Sequence, residues 1–544
     1  MKIIPNILFA SVVFGALLSS VSCRKDFEEL NQPYNQAGEA TATIPGLYNG
    51  LVSSLAKYGD DILNVGVLYP TANQQAFQNI STPFINYAGG FWSQYYPDLV
   101  TYRSLLKKIA EQTDPASFNN VKYMATILLA SKTLRMLDYY GDIPYSQAGK
   151  ANEGATSFRP AYDAAPDVYK SVLEDLKEAA DGLSNDASQV SIGASESYLG
   201  GDITAWKKFG NALRLRYAVR LYNKENAVAS AIITDIINGN KPLPNNQQAG
   251  SMQKNNFGFW PNLVTTTSTT KESLDSKWNS YRELSISNMR MSSNVWNQMS
   301  STNATNGSGI FDPRCFVFFQ TNDANLWVPQ PQDGSQTEGG TPYGTPGAAE
   351  ITARKPFGTD AGNKFASFNF WIAYDRLFYP ILVITEADVH FLLAEIYQRG
   401  MGVPKDVTKA KTEYEAGIRS SVDFWYDYTK TSAVWTTKPT APTPAQMTAM
   451  LINPKVIYNG ANDADALRKI ATQAWLATMF QPWEAWAIVR RTQLTPRDPN
   501  LPPLSVNRMP YPDDENVNNH ENWQKASGGK SATDQVSVKV YWMQ

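Results

Sequence analysis

The chain has 544 residues and a formal charge of −2, with 48 Lys and Arg against 50 Asp and Glu, so it offers no basic field for nucleic acid and no acidic tail. Charged residues make up 18 %, below the roughly 25 % usual for soluble domains, while 14 Trp, 28 Tyr and 23 Phe supply core material that excludes a disordered chain. Two histidines and two cysteines nearly empty the pool for His-based metal sites, Cys/His nucleophiles and disulfide frameworks.

Lys2 is the only charge before Arg24, and residues 7–18 between them form an unbroken stretch of apolar and small side chains. Ser19, Ser20, Val21 and Ser22 then lead into Cys23. A positive start, a short apolar centre and a small-residue end make a secretory signal peptide over residues 1–22. The stretch falls short of the roughly 20 apolar residues that a membrane-spanning helix needs. Cys23 resembles the acceptor cysteine of a bacterial lipoprotein box, although Ser20 stands where leucine is usual. That resemblance implies lipidation, palmitate included, at the mature N-terminus. The Arg24-Lys25-Asp26-Phe27-Glu28-Glu29 stretch that follows is similar to one that some surface lipoproteins carry. Cys315 then has no partner and reads as a small buried side chain.

Helical periodicity dominates the body. Val121, Met124, Ile127, Leu128, Leu134 and Leu137 form a broad stripe ending at Tyr139-Tyr140-Gly141. Over residues 166–183, Tyr169, Val172, Leu173, Leu176, Ala179, Ala180 and Leu183 mark one helix face, with Pro166 in the first turn. Trp206, Phe209, Leu213, Tyr217 and Leu221 predict a third helix. Thr269 and Glu272 have capping-box spacing before Leu274, Trp278, Tyr281 and Leu284. Later helices are predicted over 384–397, 408–426 and 463–491. Residues 241–270 and 327–357 are instead rich in Asn, Gln, Gly, Pro and Thr, and long irregular connections of this kind are usually functional or mobile. No strand alternation spans the chain, so a few short strands are the most it allows.

Catalytic motifs are missing. There is no G-x-S-x-G, H-E-x-x-H or G-x-G-x-x-G pattern. Gly529-Lys530-Ser531 lacks the first glycine of a phosphate loop and sits in a polar tail. Asn462-Asp463-Ala464-Asp465 lacks the glycine and the distant glutamate of a calcium loop, and reads as a helix cap. His390 and Glu395 are five apart and share no helix face, so His390 reads as a core residue and His520 as a loop residue. No cofactor or metal is implied. A carboxylate pair of a glycosidase is set by the fold and not by spacing, so the sequence neither supports nor excludes it.

The aromatic residues divide by setting. Trp206, Phe209, Trp475, Phe480 and Trp486 lie on helical stripes and predict core. Others stand among amides in unstriped segments: Gln74, Gln75 and Phe77; Trp92 after Phe91; Trp260 after Phe257, Gly258 and Phe259; and Trp327 after Leu326. A flat ring beside Asn and Gln suits a sugar, which shows C–H faces and hydroxyl edges, and it suits a peptide too. The same rings could equally tether loops.

Taken in order, several segments resemble one family. Arg135 through Tyr145, reading RMLDYYGDIPY, is similar to the helix end and turn of SusD/RagB-type nutrient-binding lipoproteins. Asp175-Leu176 with Ala179 and Leu183, the helix from Trp206 to Tyr222, and Glu386-Ala387 with Leu393-Ala394-Glu395 follow in the same order. The resemblance continues through Glu484-Ala485-Trp486, Arg490-Arg491-Thr492 and Arg508-Met509-Pro510-Tyr511-Pro512, then Glu515 and Asn519. It covers nearly all of 23–544. It implies a mainly α fold of tetratricopeptide-like helix pairs, with long loop-rich insertions and a few short strands. The helical core falls at about 40–240 and 380–495, and the ligand-facing loops at about 241–370. It implies no catalysis, an outer-membrane location and a SusC-like TonB-dependent transporter as partner. Tyr139, Gly141, Pro144, Arg490 and Arg491 read as structural within it. Oligosaccharide capture leads; peptide capture, a surface glycosidase and a protein-binding scaffold remain as alternatives.

Overall fold

The computed structural model describes residues 42–54, 68–74, 81–150, 155–245, 252–259, 290–322, 324–333, 364–369, 372, 381–432, 435, 437–501 and 505–544. The first helices are α1 (Ile44–Ser53), α2 (Ser81–Ala110), α3 (Asn119–Tyr140), α4 (Ala165–Gly182), α5 (Ile203–Leu221) and α6 (Asn226–Asn238). α3 is buried on nearly every side because α1, α2, α4 and α5 all pack on it. Its end is set by Gly141, whose φ of +75° only glycine adopts without strain. α4 buries the seven-residue face its spacing predicts, with Pro166 in the first turn. Asp202 caps α5 by accepting from the Ala205 N–H at 3.0 Å.

The second half contributes α7 (Ser293–Met299), α8 (Glu386–Arg399), α9 (Val407–Lys430), α10 (Pro444–Leu451), α11 (Asp463–Ala477), α12 (Pro482–Thr492), α13 (Asp513–Asn518) and α14 (His520–Ser527). α8 packs on α9, α11 and α5, so successive helices stack as pairs across the molecule. Among the described residues the strands are few and short. β1 (Phe257–Phe259) pairs antiparallel with β4 (Ile381–Ile384), and β2 (Phe319–Gln320) with β3 (Ser367–Phe368). The mainly α expectation therefore holds.

Three expectations change. The single helix predicted over 463–491 is two, because Pro482 has no N–H to donate and Gln481 leaves the helical region at φ −131°, ψ 63°. His520 opens α14 and is not a loop residue. The helix predicted after Thr269 lies outside the described residues.

Several charges inside the body are paired with one another. Asp138 of α3 accepts from Tyr169 Oη at 3.0 Å, Tyr217 Oη at 2.9 Å and Trp542 Nε1 at 2.9 Å, and it pairs with Arg220. Arg220 also meets Glu484, and Arg216 meets Asp388 at 2.8 Å. Arg490 donates to the Asp138 carbonyl at 2.9 Å, and Arg491 grips both oxygens of Glu395 at 2.7 Å. Two segments that carried the family resemblance meet here: Met509 N–H donates to the Tyr139 carbonyl at 2.7 Å, and Tyr511 Oη to the Asp142 carbonyl at 2.8 Å. No described helix is long and apolar enough to cross a membrane.

Candidate functional site: an aromatic platform at Trp327

Ser292 starts α7, its Oγ accepting from the Val295 N–H at 3.2 Å. This capped turn fixes Trp296, which is buried. The chain then doubles back, with Ser301 N–H donating to the Gly309 carbonyl at 2.7 Å. At the loop tip Gly307 has φ +83°, and a Cβ there would lie 2.9 Å from Trp327 Nε1. Glycine is required on both counts.

A second loop brings Trp327 to this point. Asn322 closes a tight turn, its N–H donating to the Leu326 carbonyl and its Oδ1 accepting from the Leu326 N–H, both at 2.9 Å. Trp327 N–H then donates to the Thr305 carbonyl at 2.7 Å, joining the two loops. The indole stacks on Trp296, with centroids 6.5 Å apart and planes 10° off parallel. Phe316 meets it edge-on at 5.7 Å and 82°. Phe316 rides on the one-turn helix Cys315–Phe318, behind which Arg314 is locked to Asp312 at 2.6 Å, Gln473 at 2.7 Å and Ser421 at 3.2 Å.

The result is an apolar shelf held from behind. Phe316 is 39 % and Leu326 37 % exposed, and Trp327 is half-buried. Asn303, Asn306, Ser308 and Asn325 stand exposed on the same two loops. Residues 291–311 contain no charged side chain, and the next charge, Asp312, is spent on Arg314. Lys455 reaches the base of the loop but donates to the Asn297 carbonyl at 2.5 Å and the Ser300 carbonyl at 2.7 Å, where burial lowers its pKa. The shelf offers stacking area and hydroxyl- or amide-type hydrogen bonds, and among the described residues no group on it is placed for proton transfer.

Of the other residues singled out by sequence, Trp92 belongs to the core. Its ring is 6 % exposed and enclosed by Tyr140 at 5.0 Å, Tyr96 at 5.2 Å, Tyr511 at 5.7 Å and Tyr162 at 6.0 Å. A ring with that many neighbours has no face to give a ligand. Gln74 is fully buried and donates to the Trp475 carbonyl at 2.8 Å, so it is a tether. Gln75, Phe77, Trp260 and Cys23 lie outside the described residues. Phe316 was not singled out: it sits in the apolar run Cys315-Phe316-Val317-Phe318-Phe319, which reads as uniformly buried. Only the single helical turn rotates it outward. Among the described residues no three His, Cys, Asp or Glu side chains cluster as a metal site.

A family model described as starch-binding and associating with the outer membrane matches residues 39–512. No curated protein matches the chain. Among solved structures, a chitin-binding protein is 20 % identical, with 92 % of this chain and 99 % of that chain covered at a TM-score of 0.65. A SusD homologue from Parabacteroides distasonis is 20 % identical, with 92 % and 98 % covered at 0.66. One from Bacteroides fragilis is 19 % identical, with 92 % and 100 % covered at 0.63. At such identities the structures speak for the fold, which is shared over 92 % of this chain. With the family model spanning from before α1 to Pro512, the turn that Tyr511 anchors on Asp142, the chain belongs to the SusD-like family.

Proposed function

We propose that the protein is a lipid-anchored lipoprotein on the outer face of the outer membrane, that it captures neutral oligosaccharide on the Trp327 platform, and that it delivers this cargo to a SusC-like TonB-dependent transporter. The observation that carries the ligand class is the absence of charge over residues 291–311 around a backed, half-open indole. Sugar C–H faces stack on such a ring, and exposed Asn and Ser side chains match sugar hydroxyls. Peptide capture would call for groups that meet termini or charged side chains. Family membership supports binding over bond cleavage, and the reading is one of binding and transfer. Family membership supports the outer-membrane location, and Cys23 supplies the anchor in this reading.

Calorimetric titration of the mature chain with malto- and chito-oligosaccharides tests the ligand reading. Trp327→Ala is expected to weaken binding about 30-fold, the size of loss common for an aromatic anchor, with the melting temperature unchanged. Equal affinity in wild type and variant overturns it, as does tighter binding of unfractionated peptides than of any glycan. Cys23→Ala is expected to release the protein from the membrane fraction, because attachment rests on acyl chains. A native protein extracted in mild detergent without a co-purifying barrel overturns the delivery step.

A further inference from the structure

A cavity of about 540 Å³ opens between the loop after α3 and the helices α13 and α14. It shares no residue with the Trp327 platform. Its size falls within the roughly 300–1,000 Å³ range of ligand pockets. The walls are built. Asn519, 5 % exposed between the two helices, donates from Nδ2 to the Pro160 carbonyl at 2.9 Å. Asn522 Nδ2 donates to the Arg159 carbonyl at 3.0 Å, and Gln147 Oε1 accepts from the Ala161 N–H at 3.2 Å. Tyr162 Oη donates to Glu515 at 2.8 Å, fixing the loop to α13 from beneath.

Once those bonds are made, the groups left facing the cavity are of mixed kind. Arg159 and Glu521 line it, both exposed and with neither side chain partnered among the described residues. His520 stacks on Trp523 with centroids 6.1 Å apart and planes 25° apart. Its Nδ1 lies 2.8 Å from Asn516 Oδ1 and 3.2 Å from the Asn516 carbonyl. Both are acceptors, so Nδ1 is the donor to them and Nε2 is left for another partner. Asn518 adds an amide, and Val517, 77 % exposed, adds an apolar wall.

Arg159 and Glu521 carry opposite charges, so a net charge of either sign gains from one and loses with the other. Hydroxyl groups both donate and accept, so they satisfy the guanidinium, the carboxylate and the imidazole nitrogen together. The ring of His520, backed by Trp523, and the Val517 side chain suit a C–H face. We propose that this cavity is a second sugar-binding site, taking a short uncharged saccharide independently of the platform.

The test uses the full mature chain on an array of neutral and acidic oligosaccharides that includes malto- and chito-oligosaccharides. Four proteins are compared: wild type, Trp327→Ala, the double variant Arg159→Ala with Glu521→Ala, and Val517→Trp, which fills the cavity from an exposed position. Hydrogen bonds to charged groups predict a loss of about tenfold or more in the double variant. The expected result is at least one neutral glycan whose binding survives Trp327→Ala and falls in both cavity variants. If no glycan behaves so, the proposal is overturned. Loss confined to Trp327→Ala keeps the platform and removes the second site, whereas a preference for acidic glycans at the cavity overturns the ligand class. Binding unaltered by any of the variants removes both readings.

Discussion

Trp92 and Trp327 have similar sequence surroundings and opposite fates. The neighbours that enclose Trp92, Tyr140, Tyr162 and Tyr511, come from three distant segments. Local composition cannot announce them. Trp327 is partly open because its neighbours are a glycine, a buried indole and the edge of one phenyl ring. Trp92→Ala is therefore expected to cost about 3–5 kcal/mol in urea unfolding, as large aromatic truncations in a core do. A second residue-scale prediction concerns His390. Burial alone would lower its pKa, but Glu386 and Glu413, the latter 2.6 Å from Nδ1, raise it from 6.5 to about 9. The folded value is the higher one, so this contribution is complete below pH 6.5 and is lost as pH rises through about 9. Urea midpoints of wild type should fall over that window relative to those at pH 6, and those of His390→Gln should not.

At the scale of elements, the sequence was legible where one face repeated. α4 could be read from its stripe, and α8 and α9 stand where helices were predicted over 384–397 and 408–426, α9 running four residues further at its C-terminal end. It was misleading where a stripe ran across a break, as at Pro482, since the apolar spacing of α11 resumes almost in phase in α12. It was silent where elements were short: α13 and α14 lack a continuous apolar face and are held by the loop they abut. Caps carry much of the definition. Thr385 accepts from the Asp388 N–H at 3.2 Å, and Asp388 returns the bond to the Thr385 N–H at 2.8 Å. Thr385→Ala is expected to cost about 1 kcal/mol, read by chemical denaturation, with hydrogen exchange accelerated in the first turn of α8.

Across the whole molecule, the buried ion network joins parts that are far apart in sequence, and no pattern of spacing announces it. Glu484 of α12 pairs with Arg216 at 3.5 Å and with Arg220, both on α5, while Arg220 passes on to Asp138 of α3. Burial would raise the Glu484 pKa, but the two arginines hold it at about 2, below its ordinary 4.5. Its folded value is the lower one, so the stabilisation is present above pH 4.5 and is lost as pH falls through about 2. Glu484→Gln leaves two guanidinium groups short of a counter-charge and is expected to cost about 3–5 kcal/mol at neutral pH. Denaturant titration at pH 7 and pH 3 checks both statements: the gap between wild type and variant should narrow at the lower pH, where the unfolded carboxyl is already protonated. The candidate site was legible in kind, an aromatic among amides in an irregular segment. It was not legible in composition, because Phe316 reaches it through the fold.

The stacked indoles also make the platform its own optical probe. Trp296 is 1 % exposed and Trp327 half-buried, so a collisional quencher such as acrylamide reaches the outer ring and not the inner one. A saccharide laid on Trp327 shields it, and the slope of a quenching plot falls as ligand is added. Replacing Trp327 with Phe removes that component and identifies it among the 14 tryptophans. Ligands can then be sought by unlabelled fluorescence, with the stacked pair reporting its own occupancy.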